Sequence, residues 1–309
     1  EIRLFSYAKV NLTLEVSGKR EDGYHDIDSL VQVIDIADEL LLTKTGDLEI
    51  YVTADVPWVP SGRDNIVHSA CREFFAAVGF RAGVRCELTK RIPAQAGLGG
   101  GSGNAAAAII GLNRLYEAGL TDDEMARIAA KVGSDAPLFV YGGTCRMRGR
   151  GEIIDALPDA PRLDLVVVKP DAGVPTAWAY AELDNELCRT QRGATEAAEH
   201  AVRNGDRAEL VRNLWNDFDP VVSRALDDVR AAKEALAERG AEGVLLSGSG
   251  SAVFGVFSSR EQAESVGAEM AGKFPHVFVS RTMARREARG SVCVRPDLQS
   301  GTQGQSGDL

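Results

Sequence analysis

The sequence predicts an α+β protein with two domains, and three features of its 309 residues indicate this class. Polar and apolar residues alternate near the amino end, as they do in a half-buried strand. Helical periodicity appears on both sides of a glycine-rich segment in the first half. The second half orders its predicted elements as β-α-β-β-α-β. A chain of this length typically contains domains of about 100–200 residues each.

The elements before the glycine-rich segment are mainly strands. Residues 9–16 alternate, and the stretches SLVQVIDI and ELLLTK predict two further, separate strands. Residues 65–79 have helical periodicity and end on a glycine, which is a common last residue at a helix carboxyl end. Alternation over residues 84–88 predicts the strand that leads into the glycine-rich segment.

The elements after this segment are two helices and a strand. Apolar residues recur at three and four positions over residues 105–116, which predicts an amphipathic helix. Thr121 and Glu124 have the spacing of a capping box and predict the start of a second helix. The stretch GSDAPLFVYGG predicts a turn followed by a short buried strand.

The second half is more regular. A strand over 163–170 is followed by a mostly helical region, two strands that flank the stretch SGSGS, a helix and a final strand. This order is typical of a ferredoxin-like domain. The polar end of the chain predicts a disordered tail. We therefore expect domains over 1–158 and 159–288 and a tail over 289–309.

The composition argues against several classes of protein. Apolar residues make up 44% of the chain, and its net charge of −10 disfavours binding to nucleic acid or an anionic membrane. Five scattered cysteines without a CxxC pair, and only four histidines, disfavour a zinc site. No apolar run reaches the ~20 residues of a membrane span, and the amino end lacks the apolar core of a signal peptide. The scattered cysteines are typical of a reducing compartment, so the sequence predicts a cytoplasmic protein.

The stretch PAQAGLGGGSGNAA lies between a predicted strand and a predicted helix. Such a junction presents N–H groups and the positive end of a helix dipole to an anion, and glycine lets a phosphate approach the backbone. The stretch lacks the Lys of a Walker loop and the spacing of a dinucleotide-binding motif. A packed strand-to-helix turn is the alternative, but five glycines exceed what packing requires. We interpret the stretch as a phosphate-binding loop.

Three other places hold polar groups suited to phosphoryl transfer. Lys9 and Asn11 share the polar face of the first strand, Asp135 lies in a turn, and SGSGS is a second glycine turn. Taken singly, an exposed lysine, a turn-forming aspartate and a plain hairpin are the simpler interpretations. Together with the loop they supply a backbone cradle, a cation and a proton acceptor, which phosphoryl transfer requires. The sequence leaves the metal ligands undetermined.

In these motifs the chain resembles the GHMP small-molecule kinases. The likeness rests on the glycine loop, on AKVNL at 8–12 and on SGSGS, while REDGYH at 20–25 is typical of the branch that acts on a cytidyl-bearing erythritol. The resemblance implies a ribosomal-S5-like amino-terminal domain, a ferredoxin-like carboxyl-terminal domain and a substrate site between them. It also implies that ATP, with Mg²⁺, phosphorylates the 2-hydroxyl of 4-diphosphocytidyl-2-C-methyl-D-erythritol in the non-mevalonate isoprenoid route.

The resemblance implies a role for each matching residue at the reacting end. Asp135 would take the hydroxyl proton, while Lys9 would polarise the hydroxyl and keep Asp135 ionised. Asn11 would form a hydrogen bond in the same site. The implied contacts to ATP are Asn65 and Lys90 near adenine and ribose, and Gly97, Leu98, Gly99, Gly100, Gly101, Ser102 and Gly103 around the phosphates.

The other implied residues bind the substrate. His25 would contact the edge of the cytosine, Tyr24 and Tyr180 would stack on its two faces, and Thr176 would border the substrate. The chain departs from the family at Gly103, where many relatives have a second serine, and at Gln95-Ala96, where they often have glycines. We therefore expect activity with an altered affinity for the nucleotide.

Three alternative functions are compatible with the same fold. A kinase for homoserine or mevalonate would not need the aromatic faces of Tyr24 and Tyr180. A non-catalytic ligand-binding protein would not need the pair Lys9 and Asp135, and a nucleic-acid-binding protein would need a basic surface. We expect a small-molecule substrate, a monomer or weak homodimer, and a locally positive cleft that includes Lys90.

Overall fold

The computed structural model describes residues 1–185, 193–290 and 292–294. Within these residues the chain forms a nine-stranded sheet and a four-stranded sheet, with helices packed against both. The strands are β1 (Ile2–Asn11), β2 (Thr13–Lys19), β3 (His25–Thr45), β4 (Ile50–Ala54), β5 (Gly83–Thr89), β6 (Thr144–Gly149), β7 (Ile153–Ala156), β8 (Asp164–Lys169), β9 (Trp215–Asn216), β10 (Gly243–Leu246), β11 (Val253–Phe257), β12 (His276–Arg281) and β13 (Val292–Val294).

Helices and strands are mixed along the chain and helices pack against both sheets, which confirms the predicted α+β class. The helices are α1 (Ile66–Val78), α2 (Gly100–Leu115), α3 (Asp122–Ala130), α4 (Ala136–Tyr141), α5 (Thr176–Asp184), α6 (Ala194–Asn204), α7 (Arg207–Arg212), α8 (Asp219–Ala225), α9 (Asp227–Glu238), α10 (Arg260–Ala271) and α11 (Arg285–Gly290), with a 3-10 turn at Gly62–Asp64. No helix in these described ranges is long and apolar enough to cross a membrane.

Local capping chemistry sets the ends of two helices, and two of these signals, Gly79 and the capping box, are predicted from the sequence. The Asn65 side chain accepts a hydrogen bond from the N–H of Val67 at the start of α1, and Gly79, with a φ of 75°, follows its last residue. Thr121 and Glu124 form both hydrogen bonds of the capping box at the start of α3. The positions of both helices are therefore confirmed.

The larger sheet is organised by β3, which pairs with β1, β2, β5 and β6. The prediction of two separate strands in this region is wrong. The register against β1 shifts between Tyr7, opposite Ala37, and Ala8, opposite Ile34. This irregularity takes up the extra residues of β3 without ending the pairing, so one strand runs through both apolar stretches.

The stretch GSDAPLFVYGG forms helix α4, and the prediction of a strand there is wrong. Pro137 lies in the first turn of the helix, where a missing N–H removes no hydrogen bond. Ala136, Pro137 and Leu138 are buried, so the segment is apolar on more than one side. A short, fully apolar run has no periodicity that separates a buried helix from a strand.

The smaller sheet has the strand order β10-β11-β8-β12, and all of its pairs are antiparallel. Helices follow β8 and β11, which confirms the predicted β-α-β-β-α-β order of a ferredoxin-like domain. Its central strands are fully apolar and buried, from Leu165 to Val168 in β8 and from Val253 to Phe257 in β11.

The two sheets share one hydrophobic core. Val10 of β1 and Leu12, which follows that strand, belong to the same cluster of buried side chains as Leu165 and Val167 of β8 and Phe254 of β11. We propose that the two domains meet at a boundary near residue 158 and that their apolar cores are continuous across the interface between them. The short strand β9 supports this interpretation, because it lies in the second half of the sequence and pairs with β2 of the larger sheet.

The predicted tail over 289–309 differs from the structure at its beginning. Val292–Val294 pair antiparallel with Ile2–Leu4 of β1, which extends the larger sheet by one strand. The sequence does not predict this strand, because the residues around it are polar. The strand forms by pairing with the edge of β1, which lies far away in the sequence. Residues 295–309 lie outside the described residues.

Candidate active site

The glycine loop joins β5 to α2 and contacts the second domain through its backbone. Gly97 and Gly99 have φ values of 73° and 71°, and α2 begins at Gly100. A Cβ atom on Gly97 would lie 1.9 Å from the backbone oxygen of Ser247, so a larger residue at position 97 would clash with SGSGS. Glycine is therefore required here both for its conformation and for its size.

Hydrogen bonds hold the loop between β1 and the SGSGS turn. The N–H of Lys9 donates to the Leu98 oxygen at 3.0 Å, and the Ser247 hydroxyl donates to the Gly97 oxygen at 3.0 Å. The N–H of Ala252 donates to the Ala96 oxygen at 3.1 Å. The two glycine turns that the sequence identifies separately therefore form one structure.

The start of α2 has the properties of an anion site. No side chain caps the helix, and the first-turn N–H groups of an α-helix have no partner within the helix. Around Gly101 the nearest atom to an added Cβ would be 4.0 Å away, so the space beside the first turn is open. The helix dipole adds a partial positive charge at the same place.

Lys9 lies beside this loop with only 4% of its surface exposed. Its Nζ donates to Asn11 Oδ1 at 2.5 Å, and Asn11 Nδ2 donates to the Ser29 hydroxyl at 2.8 Å. Burial lowers the pKa of Lys9 below its ordinary value, and the nearby carboxylate of Asp135 opposes that change by favouring the cation. Lys9 is thus a buried cation fixed by Asn11 and near a carboxylate.

Asp135 immediately precedes α4 but does not cap it with its side chain. Its carboxylate is therefore available to a ligand. A Cβ on Gly151 would lie 3.5 Å from Asp135 Oδ1, and one on the neighbouring Gly133 would lie 3.7 Å from the Ser102 hydroxyl. The turn that carries Asp135 thus packs against the first turn of α2, and the carboxylate and the anion site share one corner of the molecule.

A group of aromatic side chains forms a second end of the site. His25 and Tyr180 stack with their ring centres 4.8 Å apart and their planes 19° apart, and Phe218 packs edge-on against Tyr180. Asp184 Oδ1 lies 2.7 Å from His25 Nε2. Tyr24 is 58% exposed at the mouth of the site. The imidazole of His25 thus already lies on the face of Tyr180 at which we expect the nucleobase.

One cleft of about 830 Å³ connects these groups. Thr176, at the start of α5, borders it within 3.2 Å of the Ser249 hydroxyl. The predicted site residues that line this cleft are Lys9, Asn11, Tyr24, His25, Gly97, Gly99, Asp135, Thr176 and Tyr180. The predicted residues outside its lining are Asn65, Lys90, Leu98, Gly100, Gly101, Ser102 and Gly103.

Asn65 and Lys90 have structural partners in this conformation. Asn65 accepts from Val67 and donates to the Pro60 oxygen at 2.7 Å, so both ends of its amide are used. Lys90 forms a buried ion pair with Asp38, whose side chain is fully buried. Because Asp38 neutralises the charge of Lys90, this lysine adds little to the positive potential that we expect in the cleft.

Gly103 faces away from the open side of the loop. A Cβ at this position would lie 2.9 Å from both the Ser6 hydroxyl and the Tyr7 oxygen of β1. The glycine is therefore a packing requirement between α2 and β1. A side chain here would point toward β1, and not toward the space beside Gly101.

Comparisons with known proteins identify the family. Models of the GHMP kinases N terminal domain and the GHMP kinases C terminal match residues 65–143 and 198–276. The 4-diphosphocytidyl-2-C-methyl-D-erythritol kinase of Moorella thermoacetica is 42% identical, and the match covers 91% of this chain and 99% of the relative. The chain belongs to the 4-diphosphocytidyl-2-C-methyl-D-erythritol kinase family.

Solved structures confirm the two-domain GHMP kinase fold. A crystal structure of 4-(cytidine 5'-diphospho)-2C-methyl-D-erythritol kinase matches with a TM-score of 0.77 and 30% identity, over 91% of this chain and 98% of that chain. Homoserine kinase from Cytophaga hutchinsonii has a TM-score of 0.74 at 21% identity, over 92% and 94% of the two chains, which indicates a shared fold alone. As a member of this kinase family, the chain is a small-molecule kinase.

The cleft of this 4-diphosphocytidyl-2-C-methyl-D-erythritol kinase family member includes residues that sequence reasoning missed. Lys19, Arg150, Asp184 and Phe218 all line it. Of these, only Arg150 carries a local signal, since it stands between two glycines in GRG. The others become neighbours of the site through the pairing of β2 with β3 and the packing of α5 and α8, which no short motif records.

Proposed function

We propose that the protein transfers the γ-phosphoryl group of ATP to the 2-hydroxyl of 4-diphosphocytidyl-2-C-methyl-D-erythritol. The observation that supports this best is the single cleft, which is lined by Lys9 and Asp135 and by the aromatic group of Tyr24, His25 and Tyr180. The two groups suit the two ends of such a substrate, because one end carries the reacting alcohol and the other a nucleobase.

At the reacting end, the loop and the first turn of α2 hold the ATP phosphates through backbone N–H groups. Asp135 accepts the proton of the 2-hydroxyl as the oxygen attacks the γ-phosphorus, and the bond between the γ-phosphorus and the oxygen of the leaving ADP breaks. Lys9 donates a hydrogen bond to that oxygen and stabilises the ionised form of Asp135. Asn11 holds the Lys9 ammonium in position by accepting a hydrogen bond from it.

At the other end, the cytosine lies between Tyr24 and Tyr180. His25 stacks on Tyr180, so a base that occupies this face of Tyr180 requires the imidazole to lie at the edge of the base. Asp184 accepts a hydrogen bond from His25, so it fixes which ring nitrogen carries the proton. Thr176 borders the path between the two ends.

We propose Mg²⁺ as the metal, held mainly by phosphate oxygens and water. In the described ranges no three His, Cys, Asp or Glu side chains form a ligand cluster, but the Ser102 hydroxyl and the Asp135 carboxylate lie at one corner of the site. Oxygen donors of this kind suit Mg²⁺, which keeps several waters and binds few protein ligands. When bound, Mg²⁺ neutralises charge on the transferred group.

The composition also supports proposals about the compartment and the partners of the enzyme. From the net charge of −10 we propose that the enzyme does not bind nucleic acid, and from its scattered cysteines that it is cytoplasmic. We also propose a monomer or weak homodimer. The cleft is lined by the cations Lys9, Lys19 and Arg150 and by the carboxylates Asp135 and Asp184. The cleft is therefore less negative than the protein as a whole.

The experiment is a release assay for ADP with three candidate alcohols. Purified protein with ATP and Mg²⁺ receives 4-diphosphocytidyl-2-C-methyl-D-erythritol, homoserine or mevalonate, beside an Asp135→Ala control. We expect ADP only with the cytidyl substrate and none above background from the control. ADP with homoserine or mevalonate would contradict the assignment of the aromatic group, and ATP binding without any turnover would favour a non-catalytic role.

A further inference from the structure

The turn Gly149-Arg150-Gly151 joins β6 to β7 and touches both ends of the cleft. A Cβ on Gly151 would lie 3.5 Å from Asp135 Oδ1, so this side of the turn contacts the proposed base. The neighbouring Arg150 lies over Tyr24, with its guanidinium carbon 5.0 Å from the centre of the ring. The turn therefore extends from the reacting end to the nucleobase end.

The conformation of the turn is tightly defined. Gly149 and Gly151 have φ values of 69° and 112°, which favour glycine at both positions. The N–H of Gly151 donates to the Arg148 oxygen at 3.1 Å, and the N–H of Arg150 donates to Glu152 Oε2 at 2.6 Å. These hydrogen bonds involve only the backbone N–H groups of the turn as donors. The Arg150 side chain is positioned instead by its contact with Tyr24.

Arg150 also differs in its charge environment from the other cations of the cleft. Lys9 is buried near Asp135, and Lys19 Nζ lies 3.8 Å from Asp184 Oδ2. The Arg150 side chain has no ion-pair partner among the residues that the structure describes. The cleft thus holds one cation that no described carboxylate neutralises: its guanidinium lies over Tyr24, and the next residue of the turn, Gly151, lies near Asp135.

We propose that Arg150 binds the diphosphate of the substrate and thereby selects substrates that carry one. The proposal rests on the proposed function, because the substrate then has its diphosphate between the cytosine, at Tyr24, and the erythritol, at Asp135. A guanidinium matches two phosphate oxygens with paired N–H donors and can stack on an aromatic ring at the same time. The ATP phosphates bind at a different part of the proposed site, the start of α2.

The test measures the affinity for cytidine and for CDP while a non-hydrolysable ATP analogue fills the nucleotide site. Calorimetric titration compares the wild type with Arg150→Ala, Arg150→Lys and Arg148→Ala. Arg148 is a matched control, because it lies two residues away, pairs with Asp155 at 2.5 Å and does not line the cleft. All four proteins are also assayed for the KM of ATP.

We expect the wild type to prefer CDP to cytidine, and Arg150→Ala to reduce this preference by about tenfold. Its affinity for cytidine and its KM for ATP should change by less than about twofold. Arg150→Lys should keep part of the preference, since it keeps the charge but not the paired donors. Arg148→Ala should behave as the wild type does.

Three outcomes would overturn the proposal. Equal losses of cytidine and CDP affinity in Arg150→Ala would mean that Arg150 only supports Tyr24 by stacking. A raised KM for ATP with an unchanged preference for CDP would place the guanidinium on the other substrate. A wild type that turns over the cytidyl substrate but does not prefer CDP would exclude a diphosphate contact, whereas a wild type that binds neither ligand would refute the proposed function itself.

Discussion

Lys9 is a buried cation whose charge is set by two opposing effects. Burial lowers the pKa of Lys9 below the ordinary 10.5, and Asp135 raises it. The charged form is present below this pKa and disappears as the pH rises through it. A mechanism that needs the Lys9 cation therefore loses activity on the alkaline side at a pH below 10.5.

We expect the profile of kcat/KM against pH to fall on the alkaline side for this reason. Lys9→Arg should be less active at neutral pH, but its alkaline fall should move to higher pH, because a guanidinium stays protonated. Tyr180 does not account for the fall, since burial raises the pKa of its hydroxyl to about 12. An unchanged alkaline fall in Lys9→Arg would contradict the role of Lys9.

Gly103 offers a second test at the scale of one residue. The family resemblance leads us to expect serine at this position, but an added Cβ would lie 2.9 Å from both Ser6 and Tyr7 of β1. We expect Gly103→Ser to lower the melting temperature and to leave the KM for ATP unchanged or higher. A variant of wild-type stability with a lower KM for ATP would show that position 103 faces the phosphates.

The glycine loop is the element on which the site depends most. Gly97→Ala should cost at least ~1–2 kcal/mol for the left-handed backbone, and more for the contact with the Ser247 oxygen. We expect a lower melting temperature and a large loss of kcat, because the loop and SGSGS would separate. Gly101→Ala is the matched control for stability, since Gly101 is helical and has open space around it.

Thermal unfolding of both variants by circular dichroism measures the difference. Gly101→Ala should match or exceed the wild type in stability, because alanine is about 0.5–1 kcal/mol more favourable than glycine inside a helix. If Gly97→Ala proved as stable as Gly101→Ala, the contact between the loop and SGSGS would not be a constraint on the fold.

Some of these elements could be predicted from sequence because their signals are local. The glycine after α1 at Gly79, the capping box at Thr121 and the glycines around residue 97 each depend on neighbouring residues. The continuity of β3 and the helical state of α4 depend on partners that are distant in the sequence, so periodicity could not supply them. The same reason explains why Asp184, which reaches the site through α5, was missed.

Among the site residues, too, local signals could be predicted from sequence and contacts between distant segments could not. The types and order of Lys9, Asp135 and the glycine loop are enough, as sequence, to indicate phosphoryl transfer. Their sharing of one cleft with Tyr180 requires the packing of two sheets. The ion pair of Lys90 could not be predicted from sequence, because its buried partner Asp38 is distant in the chain.

At the scale of the whole molecule, the two proposed domains share a core and a cleft. The cluster that contains Val10 and Leu165 crosses the proposed boundary near 158, and β9 returns to the larger sheet. Unfolding one domain would expose that shared apolar surface to water, which is unfavourable. The two domains should therefore lose structure together.

We expect a single cooperative transition in differential scanning calorimetry, with equal calorimetric and van't Hoff enthalpies. A fragment of residues 1–158 should not give a comparable transition, since it lacks β8–β13. Two resolved transitions in the full chain, or a fragment that unfolds at the temperature of the full chain, would contradict the shared core.

The central claim is that Asp135 and Lys9 direct the phosphoryl group to the 2-hydroxyl of the erythritol. Phosphorus NMR of the product tests it most directly, because the carbon at position 2 bears no hydrogen. We predict one new phosphomonoester signal without splitting from a carbinol proton, absent from a reaction with Asp135→Asn. A new signal split by one or two carbinol protons would place the phosphate on another hydroxyl and contradict the account.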